Sequence, residues 1–387
     1  FPLRMRIGID CRTILNPESG ERAGVGYYTY SLVRALLELD HDNQYILFFD
    51  YRTKREAAQT FDQPNVKIKF LPFSSYGKFL PFGYSHLLVA AAFAKQKLDV
   101  LHGPANVVPL GFRWPTVITL HDLAIYRHPE WFPTQVFSTR LLVPQSLKHA
   151  SHVIAVSESS KHDAQEYFNL PDKKITVIPE AANVGMLNLR DKDQDVERIY
   201  KLPKKYVLYV GTIEPRKNLP MLFKAWEQIL RHRPEALHET QLLLAGGVGH
   251  GGEDILPLIK KMKLTKSVRH LGYLSHNHKI MLMKDALTFV FPTLYEGFGL
   301  PVLEAMQLGV PVISTNTSSI PEVVGDAALL SEPNDVDGLA EHLQKVLTDG
   351  ELRKSMSAKG KAQAAKFSWE KTAKQTLEIY TRATAKH

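Results

Sequence analysis

An apolar, branched run, MRIGID at Met5–Asp10, leads into a polar loop that ends in AGVGYY. From Tyr27 to Leu39, apolar side chains (Tyr28, Leu32, Val33, Leu36, Leu39) then recur at helical spacing. The run predicts a strand and the following stretch a helix with one buried face. YILFFD at 45–50 restores strand character, and Val66–Phe70, Val100–His102, Val117–Leu120, Val153–Val156 and Ile175–Ile178 continue it. Short apolar runs alternating with crossover segments predict an α/β sheet covered by helices on both faces.

Between Asn183 and Leu202 the rhythm lapses into NVGMLNLRDKDQDVERIYKL, which is charged and weakly apolar and marks a domain boundary. A second series follows: YVLYVG at Tyr206–Gly211, QLLLAGG at Gln241–Gly247, VRHLGYL at Val268–Leu274, LTFVFP at Leu287–Pro292 and VPVIST at Val310–Thr315. Helical patterning intervenes, notably at Met221–Leu230 and Leu339–Leu347. The expected organisation is one α/β domain over residues 1–182, a linker over 183–203, a second α/β domain over 204–366 and a terminal segment over 367–387. In that last segment Trp369, Thr372, Leu377 and Tyr380 suggest a surface-packed helix. No internal repeat supports a solenoid or propeller.

At 387 residues the chain exceeds what a single core usually supports, in keeping with two domains. Forty-eight Lys and Arg against 40 Asp and Glu leave a formal charge of +8, which favours phosphorylated ligands or anionic surfaces. The cations are scattered, whereas nucleic-acid binding needs a localised basic face, so nucleic acid is not an expected partner. The lone Cys11 makes no internal disulfide and is expected to be a buried thiol. No apolar run approaches the roughly 20 residues of a membrane-spanning helix, and Phe1–Arg4 leads into no signal-peptide core. The expected location is cytoplasmic, with peripheral contact at the inner face of the cell membrane as an extension.

Ligands of open α/β sheets gather where strands end and helices begin. At the first join, Gly24 and Gly26 either form a plain turn or present backbone N–H groups to a ligand oxygen. GVG is not the full GxGxxG fingerprint and no acidic ribose partner accompanies it, which argues against a dehydrogenase. At VITLHDLAIY, His121 and Asp122 follow an apolar strand. The imidazole either binds a hydroxyl or exchanges a proton, with Asp122 orienting it, or the pair makes structural hydrogen bonds. In YVLYVGTIEPRKNL, Arg216 and Lys217 are cations suited to phosphate oxygens, or plain residues of a solvated loop.

FVFPTLYEGFGLPVLEAMQLG places a strand before Glu296, a turn at Gly297–Gly299 and Pro301 in the first turn of a helix, where its missing N–H breaks no bond. The backbone N–H groups of Phe298, Gly299 and Leu300 are then candidates for a phosphate or sugar oxygen. Glu296 and Glu304, eight positions apart, suit recognition of sugar hydroxyls. Their alternative roles are a loop salt bridge for Glu296 and capping of nearby N–H groups for Glu304. His276 and His278 in SHNH lack partners for a metal pattern and read as a polar loop. Ser157 and Ser159 look like a helix entry with no nucleophile elbow. Tyr126, Trp131 and Phe132 read first as local core and second as an acceptor pocket or membrane contact.

These motifs, in this order and over nearly the whole chain, resemble the retaining nucleotide-sugar-dependent glycosyltransferases of family 4, in wording close to mannosyltransferases. YEGFGLPVLE matches that family's E-x7-E signature. The resemblance implies a GT-B α/β fold, two Rossmann-like domains facing a deep cleft, with the nucleotide sugar held by the C-terminal one and a C-terminal helix returning to the N-terminal one. It implies Gly24 and Gly26 near donor phosphate and acceptor, and His121 beside the transferred sugar. It implies Lys217 and Arg216 at the diphosphate, Glu296 at donor-sugar hydroxyls, Phe298–Leu300 at sugar and diphosphate, and Glu304 at the nucleotide ribose. Thr212 stands where the family commonly has Arg, which leaves open which cation meets which phosphate.

The expected activity is transfer of a hexose, with mannose from GDP-mannose as the first reading, to a hydroxyl of a polysaccharide or glycolipid. The alternatives are a UDP-sugar transferase, a GT-B sugar-nucleotide epimerase and a non-enzymatic sugar-nucleotide-binding protein. No cofactor is expected. The metal requirement stays open, since no DxD motif is placed as a ligand set.

Overall fold

The computed structural model of the chain describes residues 4–14, 24–71, 82–109, 111–132, 136–182, 184 and 196–385. The chain divides into two compact units, one of residues 1–126, 134–180 and 368–387, the other of residues 127–133 and 181–367. Most of the segment read as a linker, 183–203, lies outside the described residues, and its described part contains a short helix, Val196–Tyr200.

Among the described residues the first unit holds seven parallel strands: β1 (Arg6–Asp10), β2 (Gln44–Asp50), β3 (Val66–Leu71), β4 (Val100–Gly103), β5 (Thr116–Leu120), β6 (His152–Ala155) and β7 (Ile175–Val177). Their order is β3-β2-β1-β4-β5-β6-β7. Each coincides with an apolar run read from the sequence, within a residue or two at the ends. β4, β5 and β6 are buried along their whole length, as strands covered on both faces must be. Ile118, Leu120, Val153 and Ala155 pack with Leu147, Ala164 and Ile175 into one core.

Among the described residues the second unit holds six parallel strands: β8 (Lys205–Val210), β9 (Thr240–Ala245), β10 (Val268–Gly272), β11 (Thr288–Phe291), β12 (Val312–Thr315) and β13 (Leu329–Ser331). Their order is β10-β9-β8-β11-β12-β13. β13, the three-residue edge strand LLS, was not read from the sequence. The helix Leu219–His232 buries Leu219, Leu222, Phe223, Trp226 and Ile229, the stripe that its 3.6-residue pattern dictates.

The terminal helix Trp369–Thr384 belongs to the first unit and packs on the helix Gly24–Leu39. Its buried residues are Thr372, Ala373, Thr376, Ile379, Tyr380 and Ala383, whereas Leu377 is only half-buried. A buried polar chain fixes it. Tyr380 Oη lies 2.7 Å from His102 Nδ1, His102 Nε2 2.8 Å from Thr119 Oγ1, and Thr119 Oγ1 3.0 Å from Tyr28 Oη. Cys11 is buried at the end of β1. Among the described residues no helix is long and apolar enough to cross a membrane.

Candidate functional site

Both sheets change strand direction of addition at one point, between β1 and β4 in the first and between β8 and β11 in the second. The carboxyl ends of strands beside such a point form a crevice suited to ligands. In the second unit, Arg216 and Lys217 follow β8 and Glu296 follows β11, so the loops from the two strands that flank the switch meet.

Lys217 Nζ lies 2.5 Å from Glu296 Oε1, and Arg216 Nη1 3.2 Å from Glu296 Oε2. Thr293 Oγ1 donates to the same Glu296 Oε1 at 2.8 Å, and Arg216 Nη2 also reaches Glu214 Oε1 at 2.8 Å. The loops are sewn together through their backbones as well: Leu294 N donates to Arg216 O, and Arg216 Nη1 to Tyr295 O. Glu296 and Lys217 are buried. Burial pushes the Glu296 carboxyl up, but Lys217 and Arg216 outweigh it and hold the group below its ordinary value, as a carboxylate. Burial, followed by the Arg216 charge, draws Lys217 below the ordinary lysine value against the pull of Glu296. Glu296 thus occupies the ion pair that was the alternative to hydroxyl recognition, and the two cations share it.

Beyond Glu296 the chain makes the turn predicted for it. Gly299 adopts φ +100°, a conformation that favours glycine, and caps the helix Leu300–Gln307 with Pro301 in its first turn. Ser319 Oγ pins this turn by donating to the carbonyls of Glu296 and Phe298. The first N–H groups of the helix have no acceptor within it and carry the positive end of its dipole. Glu304 lies inside this helix, buried. It does not cap N–H groups: Lys279 Nζ approaches both of its oxygens at 2.7 Å. Lys279, unread in the sequence, comes from the helix His276–Asp285. That helix corrects the reading of SHNH as a loop, because Ser275 accepts from His278 N and caps it. His278 Nδ1 meets Tyr200 Oη at 2.7 Å, and no metal-binding cluster occurs among the described residues.

In the first unit, Gly24 and Gly26 do not form a turn. Both lie in the helix Gly24–Leu39, ahead of the apolar periodicity, since glycine carries no hydrophobic signal. Gly24 is exposed with open space about it, whereas a Cβ at Gly26 would come within 2.6 Å of Thr13 O. Ala23, the first residue of AGVGYY, lies outside the described residues.

His121 directly follows β5 and is buried. Asp122 does not orient it; that carboxylate accepts from Ala124 N at 3.2 Å and starts the short helix Ala124–Arg127. The partner is Glu180, beyond β7, with Oε1 3.0 Å from His121 Nδ1. His121 Nε2 meets Pro104 O, beyond β4, at 2.8 Å. The Tyr28 ring stands edge-on, its centroid 4.7 Å away. Burial lowers the ring's proton affinity, but Glu180, the Pro104 carbonyl and Asp122 together raise it above 6.5. Its neighbour His102 is pushed down to about 3, first by burial and then by the charge on His121. Glu180 carried no sequence signal, since VIPEAAN matches no motif and its partner is 59 residues away.

Ser157 caps the helix Glu158–Phe168 by accepting from Ser160 N, as its sequence suggested. Tyr126 packs edge-on against Phe168 at 5.0 Å in the first unit, while Trp131, stacked 3.9 Å from His128, groups with the second. Local core packing therefore describes Tyr126 but not Trp131.

Residues 22–185 match the family model described as Glycosyltransferase Family 4, and residues 191–363 match that described as Glycosyl transferases group 1. The chain is 32% identical over 372 residues to a protein of Escherichia coli named O-antigen chain mannosyltransferase B, covering 92% of this chain and 95% of that one. Among solved structures, sucrose-phosphate synthase from Thermosynechococcus elongatus is similar with a TM-score of 0.78 at 23% identity, over 99% of this chain and 100% of that one. Anabaena HepE in complex with UDP and glucose is similar with a TM-score of 0.71 at 19% identity, over 98% and 100%. Both likenesses identify the fold as GT-B, built from two Rossmann-like α/β domains.

Proposed function

Because the chain belongs to the GT-B glycosyltransferases of group 1 and family 4, and is a nucleotide-sugar-dependent hexosyltransferase, we propose that its second unit binds the donor at the β8–β11 switch and its first unit serves the acceptor. The observation that carries this reading is the meeting of Arg216, Lys217 and Glu296 beside the start of the helix Leu300–Gln307. Two cations and a helix start suit a diphosphate. A carboxylate between them suits sugar hydroxyls, each charged hydrogen bond adding about 1.5–3 kcal/mol. In this reading Arg216, Lys217 and the N–H groups of Phe298, Gly299 and Leu300 take the diphosphate, Glu296 the donor sugar and Glu304 the ribose. Gly24 and Gly26 lie near donor phosphate and acceptor, and His121 near the transferred sugar.

The chemistry is substitution at the sugar C1. An acceptor hydroxyl oxygen bonds to C1 as the bond from C1 to the diphosphate oxygen breaks, through an oxocarbenium-like state. The departing diphosphate takes the hydroxyl proton. Negative charge grows on the diphosphate, so fixed cations and amides aimed at it lower the barrier. Attack on the face from which the diphosphate leaves retains the anomeric configuration.

The name of the E. coli relative, a mannosyltransferase of an O-antigen chain, supports mannose as the sugar and a polysaccharide or glycolipid as the acceptor. It does not specify the base. GDP-mannose is one donor reading, and the UDP on the structurally similar HepE favours a UDP-sugar as the other. Incubation with GDP-mannose, UDP-glucose and related nucleotide sugars, scored by GDP or UDP release and by product anomer, decides between them. Release of UDP but never GDP rejects GDP-mannose, inverted product rejects front-face attack, and no release with any donor and acceptor rejects transfer.

A further inference from the structure

We propose that Glu180 is a positioning residue of the transfer site, and that it fixes His121 as an imidazolium clip joining the loops that follow β4, β5 and β7. The inference rests on the reading of His121 as part of that site. The geometry of the ring carries it. The Pro104 carbonyl can only accept, so His121 Nε2 at 2.8 Å bears a proton. Nδ1 faces a carboxylate at 3.0 Å. A carboxylate oxygen accepts, so Nδ1 donates to it and the ring carries both protons.

The proton count determines what the ring can hold together. A doubly protonated ring satisfies Pro104 and Glu180 at once, tying the residues beyond β4 and β7 to the end of β5. A neutral ring has one N–H and must give up one partner, leaving a buried carbonyl or carboxylate with a lone pair aimed at a lone pair. The backbone of His121 is already anchored, its N–H to Asn106 Oδ1 and its carbonyl to Ser160 Oγ, so the lost contact releases the loop beyond β4 or beyond β7.

The other titratable groups facing the ring leave this assignment in place. Tyr28, on the helix Gly24–Leu39, is neutral, its hydroxyl pushed up first by burial. His102, on β4, is neutral and bonded to Tyr380 and Thr119. Asp122 adds negative charge from beyond β5 and strengthens the ring's hold on its protons. With both nitrogens engaged, His121 neither gives nor takes a proton during transfer. The acceptor proton therefore goes to the leaving diphosphate oxygen.

Nitrogen-15 spectra of the histidine rings in the full chain, recorded from about pH 5.5 to 8.5, test the clip directly, since an ordinary imidazole loses its proton near the middle of that range. The wild-type His121 ring is expected to stay doubly protonated past neutrality, and in Glu180→Gln, which keeps the side-chain shape, to turn neutral below it. Transfer by E180Q is expected to fall about tenfold in kcat from the acid to the alkaline end of the range, with the donor KM moving far less. Glu180→Asp should restore part of the loss. A neutral wild-type ring at about pH 7, or an E180Q variant with wild-type ring spectra and pH profile, overturns the proposal. Undiminished transfer by His121→Ala overturns the placing of His121 at the site, a separate failure, because the ring spectra decide the clip without any turnover.

Discussion

Lys217 Nζ and Glu296 Oε1 are 2.5 Å apart across 79 residues of sequence, each buried and each the other's closest charged partner. Removing one member of a buried pair strands the other, at a cost of about 3–5 kcal/mol. Glu296→Gln strands Lys217 beside the Arg216 cation, which keeps Glu214, whereas Lys217→Met leaves Glu296 paired with Arg216 at 3.2 Å. E296Q is therefore expected to be the more destabilising, and the double variant to cost less than the sum of the two. Urea denaturation of the three proteins measures this. Additive costs would show that the pair is not coupled.

The same carboxylate sets an acid limit. The folded-state proton affinity of Glu296 lies below its ordinary 4.5, so its stabilising contribution is complete above that pH and is lost as pH falls through the lowered folded value. His121 behaves oppositely. Its folded value lies above 6.5, so its contribution is complete below 6.5 and is lost as pH rises through the raised value. Thermal melts across pH should steepen at both ends, with E296Q flattening only the acid limb and E180Q only the alkaline one. Equal slopes in wild type and variants would contradict the assignment.

The glycines separate structural need from ligand need. A Cβ at Gly24 meets nothing within 4 Å, so Gly24→Ala should leave stability within about 0.5 kcal/mol of wild type. Gly299→Ala must hold a φ of +100° and push on Ile320 Cδ1 at 2.9 Å, costing about 1–2 kcal/mol. A stable G24A protein with much reduced transfer would mark Gly24 as a place where ligand, not protein, approaches the backbone. Full transfer would remove Gly24 from the site.

Tyr380→Phe tests how the terminal helix is held. His102, neutral and fully buried, would keep Thr119 at Nε2 and lose its only hydroxyl partner at Nδ1 among the described residues. The expected loss is about 1–3 kcal/mol, the penalty of a buried polar atom left unpaired. Because Thr119 also meets Tyr28, whose ring abuts His121, the Y380F change should also shift the His121 ring signals. An unchanged melting temperature would show that the chain of hydroxyls does not anchor the helix.

The sequence by itself determined the elements and the local chemistry. Among the described residues twelve of the thirteen strands were legible, most of them because a strand buried on both faces must be a short apolar run whatever surrounds it. The turn at Gly299 and the helix behind it were legible because φ, capping and Pro301 are properties of neighbouring residues. Partnership was not legible. Glu180 for His121, Lys279 for Glu304 and Tyr380 for His102 are chosen by which strand ends and helix faces adjoin, and periodicity along a chain says nothing about order across a sheet. Adjacent Asp122 was the natural guess for His121, yet a backbone already committed to the next helix turned that carboxylate toward Ala124. Only the tertiary fold, by setting β4, β5 and β7 in one sheet, brought to the imidazole the carbonyl and the carboxylate that fix its charge.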